Sequence, residues 1–241
     1  MSQDNVTERM NREQEFLKKF VSRNPNLRLH LEYASISNVF VRKTILDKLK
    51  PYIHSLGFNE VELRSILHDL GELELESALE QDESITLIYE AMNRVKELLS
   101  IARIHMHTVA YHIMLIDSNY CKNVSIESVQ NAVLYSSLIG TAKTLVGEFS
   151  SRNIKDFEIK LANQLPVSYT GIKSLETLAI KLKEKGTITD VHNFLSTGII
   201  KEDNIWKLIV PVQLTPPDQI KSTVGLGDSI SSTAFTFDCK N

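Results

Sequence analysis

The chain has 241 residues, 42% of them hydrophobic and 24% charged, with a formal net charge of −3. This is the composition of one large or two small globular domains, not of a disordered chain or of a nucleic-acid protein driven by bulk positive charge. No apolar run is long enough to span a bilayer, residues 1–20 lack the apolar stretch of a signal peptide, and two cysteines, Cys121 and Cys239, are too few for a disulfide scaffold; a reducing, cytoplasmic location is expected, with no nucleic-acid and no membrane partner. Asn5-Val6-Thr7 and Asn123-Val124-Ser125 match the glycosylation pattern, which recurs by chance, and nothing else points to secretion.

In residues 1–23, Phe16, Leu17, Phe20 and Val21 stand at helical spacing, and Asn24-Pro25-Asn26 ends the pattern. Alternation over 27–33 predicts a strand with His30 and Glu32 on one face. Helical spacing returns over 38–50, and 53–58 reads as a short extended piece broken by Gly57. Asn59 opens a helix through Leu63, Ile66, Leu67 and Leu70, and Gly71 stops it. The acidic run 72–83 reads as a solvated helix or loop, 84–100 as an amphipathic helix, and 104–116 as one strong strand. A long helix is expected over 126–148 with an interruption near Gly140. A short helix near 157–161, a loop at Pro166 and a helix over 174–185 follow. Residues 206–214 form a strand with Pro211 near its end, Pro216-Pro217 a turn, and 225–235 a turn entering a helix. Strand and helix alternate throughout, so the expected class is α/β, with parallel strands covered by helices on both faces.

The segment richest in chemistry is Thr223-Val224-Gly225-Leu226-Gly227-Asp228-Ser229-Ile230-Ser231. Glycines let backbone approach a ligand closely, free N–H groups at a helix N-terminus bind anions, and a carboxylate there can take a proton from an attacking hydroxyl. Taken alone, Gly-x-Gly-Asp reads more readily as a plain turn with Asp228 as helix N-cap. Asn59 and Glu62 have the spacing of a capping box, and His30-Leu31-Glu32 that of a pair at a strand end. In Arg103-Ile104-His105-Met106-His107-Thr108 the two histidines share a face, but no third metal ligand has convincing spacing.

Together, in this order, these segments resemble the ADP-dependent sugar kinases, the ADP-specific glucokinases and phosphofructokinases of the ribokinase-like superfamily. The C-terminal string is similar to the family's Thr-Val-Gly-Leu-Gly-Asp-Thr-Ile-Ser signature, with Ser229 in place of the usual threonine. Asn59 and Glu62 match its Asn-x-x-Glu motif, His30 and Glu32 its His-x-Glu motif with the trailing Ala34-Ser35, and 103–108 its Arg-x-His-x-His-Thr strand. The resemblance implies a ribokinase-like doubly wound sheet and transfer of the β-phosphoryl group of ADP to a sugar or sugar-phosphate hydroxyl, leaving AMP. It implies Asp228 as the catalytic base and Gly225, Leu226 and Gly227 as the anion hole. His30 is implied beside the nucleotide phosphates, and Glu62, with Asn59 and Glu32, at a magnesium ion. The segment before the glycine turn resembles the one beside the family's adenine pocket.

Members of this family run to roughly twice this length, a size that exceeds the usual single domain. The expectation is therefore the C-terminal portion only, with the lid domain absent: residues 1–23 as an N-terminal helix and 24–241 as an α/β core carrying the magnesium and phosphate motifs. A doubly wound sheet without its first strands leaves an edge open, so a separate N-terminal half is an expected partner, alongside truncation or a reduced, non-catalytic nucleotide-binding remnant. An ATP-using ribokinase-like enzyme is the lesser alternative.

Overall fold

The computed structural model describes residues 3–120, 124–147 and 156–238; Cys121, Asn123 and Cys239 lie outside them. Its strands are β1 (His30–Glu32), β2 (Ser55–Phe58), β3 (Arg103–His107), β4 (Tyr111–Asp117), β5 (Ile199–Glu202) and β6 (Ile205–Pro211), in one sheet ordered β1-β2-β3-β4-β6-β5. The class is α/β, as expected, but the sheet is not wholly parallel. β1, β2 and β3 are parallel, whereas β4 runs antiparallel to both β3 and β6, and β5 antiparallel to β6.

Short connections cause the departure at β3–β4 and β5–β6, because two strands joined by a tight turn must run antiparallel. The expected single strand over 104–116 is a hairpin. Thr108 Oγ1 accepts the N–H groups of Ala110 and Tyr111 at 3.1 and 3.0 Å and reverses the chain without glycine or proline. β5 and β6 are joined by Asp203 and Asn204 alone, with Asp203 at φ +51°.

The helices are α1 (Gln3–Arg23), α2 (Val39–Leu49), α3 (Glu60–Leu70), α4 (Leu73–Gln81), α5 (Ile85–Leu99), α6 (Ile126–Val146), α7 (Asp156–Asn163), α8 (Tyr169–Glu184), α9 (Val191–Thr197) and α10 (Leu226–Asp238). On one face Leu56, Phe58, Ile104, Met106, Ile113 and Leu115 pack against apolar residues of α3, α5 and α8. On the other, Met114, Ile116, Leu208 and Val210 meet Val129 and Val133 of α6 and Ala234 of α10. The strand alternation sorts these two sets. In β3 it does more: Ile104 and Met106 enter the first core, while Arg103, His105 and His107, also buried, form a polar layer beneath α10.

α6 runs unbroken through Gly140. A Cβ there would stand 2.7 Å from Ile230 Cγ1 of α10, so this glycine serves the close approach of two helices rather than a break. No described helix is long and apolar enough to cross a membrane.

Beyond β1 the chain is fixed by a buried ion pair. Arg42 of α2 grips Asp69 of α3 with Nε and Nη2 at 2.9 and 3.0 Å, Tyr33 donates to the same carboxylate, and Arg42 Nη1 donates to the Ile36 carbonyl at 2.7 Å. Burial pushes the Asp69 carboxyl up, but its bonds from Arg42 and Tyr33 bring it below its ordinary value. Removing one partner of such a pair leaves a buried charge uncompensated, so Asp69→Ala should cost about 3–5 kcal/mol, read as a lowered midpoint in urea denaturation.

Candidate functional site

The C-terminal ends of β1, β2 and β3 meet at one edge of the sheet, where open α/β folds place their ligands. Register brings the side chains together: His30 lies level with Ser55 and Arg103, and Glu32 with Gly57 and His105. Arg103 Nη1 donates to Ser55 Oγ at 2.8 Å, and His30 Nδ1 is 2.8 Å from the same hydroxyl. Gly57 is the residue that admits the Glu32 carboxylate. A Cβ at Gly57 would lie 2.1 Å from Glu32 Oε2 and 2.5 Å from Ser231 Oγ.

Glu32 therefore reaches into the polar layer, where His107 Nε2 lies 2.7 Å from Oε1 and His30 Nε2 3.3 Å from Oε2. Burial works to raise this carboxyl, yet the bonds from His107 and His30 and the charge of His107 outweigh it, and it falls from 4.5 to about 2. An ionised carboxylate only accepts, so both imidazoles donate to it through Nε2. His105, fully buried beside them, is driven well below the ordinary histidine value by burial and by the Arg103 charge.

Glu62 stands in the first turn of α3 in a reciprocal cap. Asn59 Oδ1 accepts the Glu62 N–H at 2.9 Å, and Glu62 Oε2 accepts the Asn59 N–H at 2.9 Å. Glu62 Oε1 accepts the Ser35 hydroxyl at 2.9 Å. Burial raises the Glu62 carboxyl, and the Glu32 charge adds to the rise against the bonds from Asn59 and Ser35. The two carboxylates thus repel one another. Asn59 caps the helix with its amide oxygen, so it orients Glu62.

Gly225, at φ +63°, turns the chain into α10. Asp228 is not the N-cap: the helix begins at Leu226, and Asp228 sits exposed within its first turn. Leu226 N–H donates to the Thr223 carbonyl; among the described residues the N–H groups of Gly227 and Asp228 have no acceptor. Gly227 abuts the carboxylate centre, since a Cβ there would meet His107 Cε1 at 2.7 Å and Glu32 Oε1 at 3.3 Å. Tertiary folding thus brings the glycine turn, Glu32 and His107 into contact, with Glu62 near enough to feel the charge of both Glu32 and His107.

Beside the turn, a cavity of about 130 Å³ is lined by Thr108, His112, Gly140, Val212, Leu226 and Ile230, among others. A larger space of about 370 Å³ lies at the C-terminal end of β6 between α6, α8 and α9. Its described lining includes Glu176 and no basic side chain. Among the described residues no group of three or more His, Cys, Asp or Glu forms a metal cage.

Sequence reading underweighted His107. Its signal was available, as the last same-face residue of a strand whose C-terminal end meets the site. Lys143 of α6 carried no motif. Its Nζ donates to the Gly225 carbonyl at 2.6 Å and to Ser229 Oγ at 2.9 Å, and its only trace was a lysine in a run of small buried residues.

The conserved region of ADP-specific phosphofructokinase/glucokinase matches residues 1–237. The chain is 28% identical over 222 residues to an ADP-specific phosphofructokinase of Methanosarcina acetivorans, covering 91% of this chain and 43% of that protein. It is 31% identical over 209 residues to an ADP-dependent glucose/glucosamine kinase of Pyrococcus furiosus, covering 86% and 41%. Among solved structures it resembles the last common ancestor of ADP-dependent phosphofructokinases from Methanosarcinales, with a TM-score of 0.83 and 32% identity over 92% of this chain and 44% of that one. It also resembles an ADP-dependent kinase in complex with fructose-6-phosphate and ADPβS, with a TM-score of 0.83 and 30% identity over 92% and 47%. The chain thus spans less than half the length of these relatives.

Because the folded value of Glu32 lies below its ordinary 4.5, this group contributes stability that is fully present above about pH 4.5 and is lost as the pH falls toward about 2. Glu32→Gln should flatten that limb of a stability–pH profile measured by chemical denaturation. Gly57→Ala should displace the carboxylate and flatten the same limb in part.

Proposed function

Since the chain belongs to the ADP-specific phosphofructokinase/glucokinase family, we propose that it carries the phosphoryl-transfer site of an ADP-dependent sugar kinase. The β-phosphoryl group of ADP would pass to a hydroxyl of glucose or fructose 6-phosphate, giving AMP. The observation that supports this most is the contact between the glycine turn and the carboxylate centre, with Gly227 against Glu32 and His107. An anion site and a cation site side by side are what phosphoryl transfer requires.

In this reading the sugar hydroxyl oxygen bonds to the β-phosphorus while the bond from phosphorus to the bridging oxygen breaks, and AMP leaves with that electron pair. Asp228, exposed in the first turn of α10, accepts the hydroxyl proton. The Gly227 and Asp228 N–H groups, with the helix dipole behind them, stabilise charge on the phosphoryl oxygens. His30 and His107 act through Glu32, keeping it ionised. The cavity of about 130 Å³ beside the turn takes the nucleobase.

The carboxylates fit a magnesium ion. Glu32 is ionised, Glu62 is raised in part by the Glu32 charge, and a cation held by both would remove that repulsion. Glu32 and Glu62 would hold the ion largely through water, as magnesium prefers, and it would neutralise phosphate charge. β1 is one of the two edges of the sheet, and it is there that strands of a longer or separate N-terminal half would add.

With magnesium and ADP, the purified chain should form AMP only when glucose or fructose 6-phosphate is supplied, and Asp228→Asn should reduce the rate by about 10²-fold or more while ADP still binds. Near-normal turnover by that variant removes Asp228 as the base. A folded chain that binds ADP and forms no AMP with either sugar is half a kinase that needs an N-terminal half, or the nucleotide-binding remnant, and AMP formation once that half is supplied separates the two. Glu62→Gln should move the magnesium titration of the same assay to higher concentration.

A further inference from the structure

Lys143 lies on α6, far in sequence from every motif, yet its side chain ends inside the glycine turn. The residue is 8% exposed. The Gly225 carbonyl accepts from Lys143 Nζ at 2.6 Å, from the Ser229 hydroxyl at 2.8 Å and from the Ser229 N–H at 3.2 Å. The Ser229 hydroxyl in turn accepts from Lys143 at 2.9 Å. These contacts hold the carbonyl of a residue at φ +63° toward α6, and the free N–H groups of Gly227 and Asp228 follow it in the chain. α6 also secures the approach to the turn, where Lys221 N–H donates to the Thr144 carbonyl at 2.8 Å. A Cβ on Gly225 would stand 3.1 Å from Lys143 Nζ and 3.6 Å from Asp228 Oδ2, so ammonium and carboxylate flank the same point of the turn.

We infer that Lys143 is a positioning residue for the transferring phosphoryl group: it sets the glycine turn and places a buried positive charge at the N-terminus of α10, favouring a nucleoside diphosphate over a monophosphate. The inference rests on the phosphoryl-transfer reading of this site. A charge so little exposed is weakly screened, and it adds to the dipole and free N–H groups that face the anion. Its effect falls on the group nearest the turn, the β-phosphoryl, which AMP lacks. Ser229, the departure from the family signature, contributes the hydroxyl that links lysine and carbonyl.

The test uses ADP and AMP as probes, titrated calorimetrically into the intact chain with magnesium at two salt concentrations. Lys143→Gln retains a hydrogen-bond donor and removes the charge; Lys143→Met removes both. Lys143→Gln should weaken ADP about tenfold, leave AMP within about twofold, and leave the salt dependence of ADP binding little changed, because a weakly screened charge contributes little to it. Lys143→Met should show the same split, with a lower melting temperature from the loss of the carbonyl contact. Equal weakening of ADP and AMP, or no change in either, overturns the role of Lys143 and leaves the reading of the site standing. A wild-type chain that binds neither nucleotide overturns that reading and this inference with it.

Discussion

An ionised carboxylate lies largely buried at the end of a three-residue edge strand, and much of the architecture around it can be understood as its accommodation. Withdrawing a carboxylate from water is costly unless charge and hydrogen bonds replace the water. Glu32 obtains them from His107, two strands away, and from His30 on its own strand. For the His107 contact to form, the strand between must carry no side chain at the level of Glu32, and Gly57 meets that condition. A glycine in a strand interior weakens the strand; here it is compensated by packing of Leu56 and Phe58, both fully buried.

The polar layer beneath α10 follows from the same requirement. β3 presents Arg103, His105 and His107 on one face and Ile104 and Met106 on the other, so a single strand serves both a dry core and a charged one. α10 closes over the charged side, and its height is set by α6, because Gly140 lets Ile230 approach closely. That approach also lets Lys143 reach the turn. A bulkier residue at position 140 would lift α10, and with it the first-turn N–H groups, away from the carboxylates. The helix pair is thus a mechanical reference for the glycine turn, while the Arg42–Asp69 ion pair does the same for the segment carrying Ser35 and for the helix that begins at Glu60 and carries Glu62.

Much of this was legible beforehand, and the exceptions have physical causes. Periodicity identified α2, α3, α5 and α6, and alternation put His30 and Glu32 on a common face, because these signals are carried by neighbours in sequence. The β3–β4 hairpin was hidden because Thr108 makes the turn with its own hydroxyl rather than with glycine or proline. Gly140 looked like a break because its purpose, contact with Ile230, is supplied by a residue ninety positions later. α9 and β5 are short elements stabilised by what they pack on, Phe194 in the core and β6 beside β5, and they leave little trace in local pattern.

The division at the site is similar. The residue order alone determined the α/β class, the capping pair Asn59–Glu62, the glycine turn that opens a helix and, through the ordered motifs, the family. Each of these depends on local spacing or on a short string of residue types. That Glu32 is held ionised by His107, that Gly57 is the opening through which it reaches, that Asn59 serves the helix through Glu62, and that Lys143 grips the turn were decided only by tertiary structure. Each of these depends on strand register or helix approach, which brings together residues far apart in the chain and sets the electrostatic environment that no residue possesses by itself.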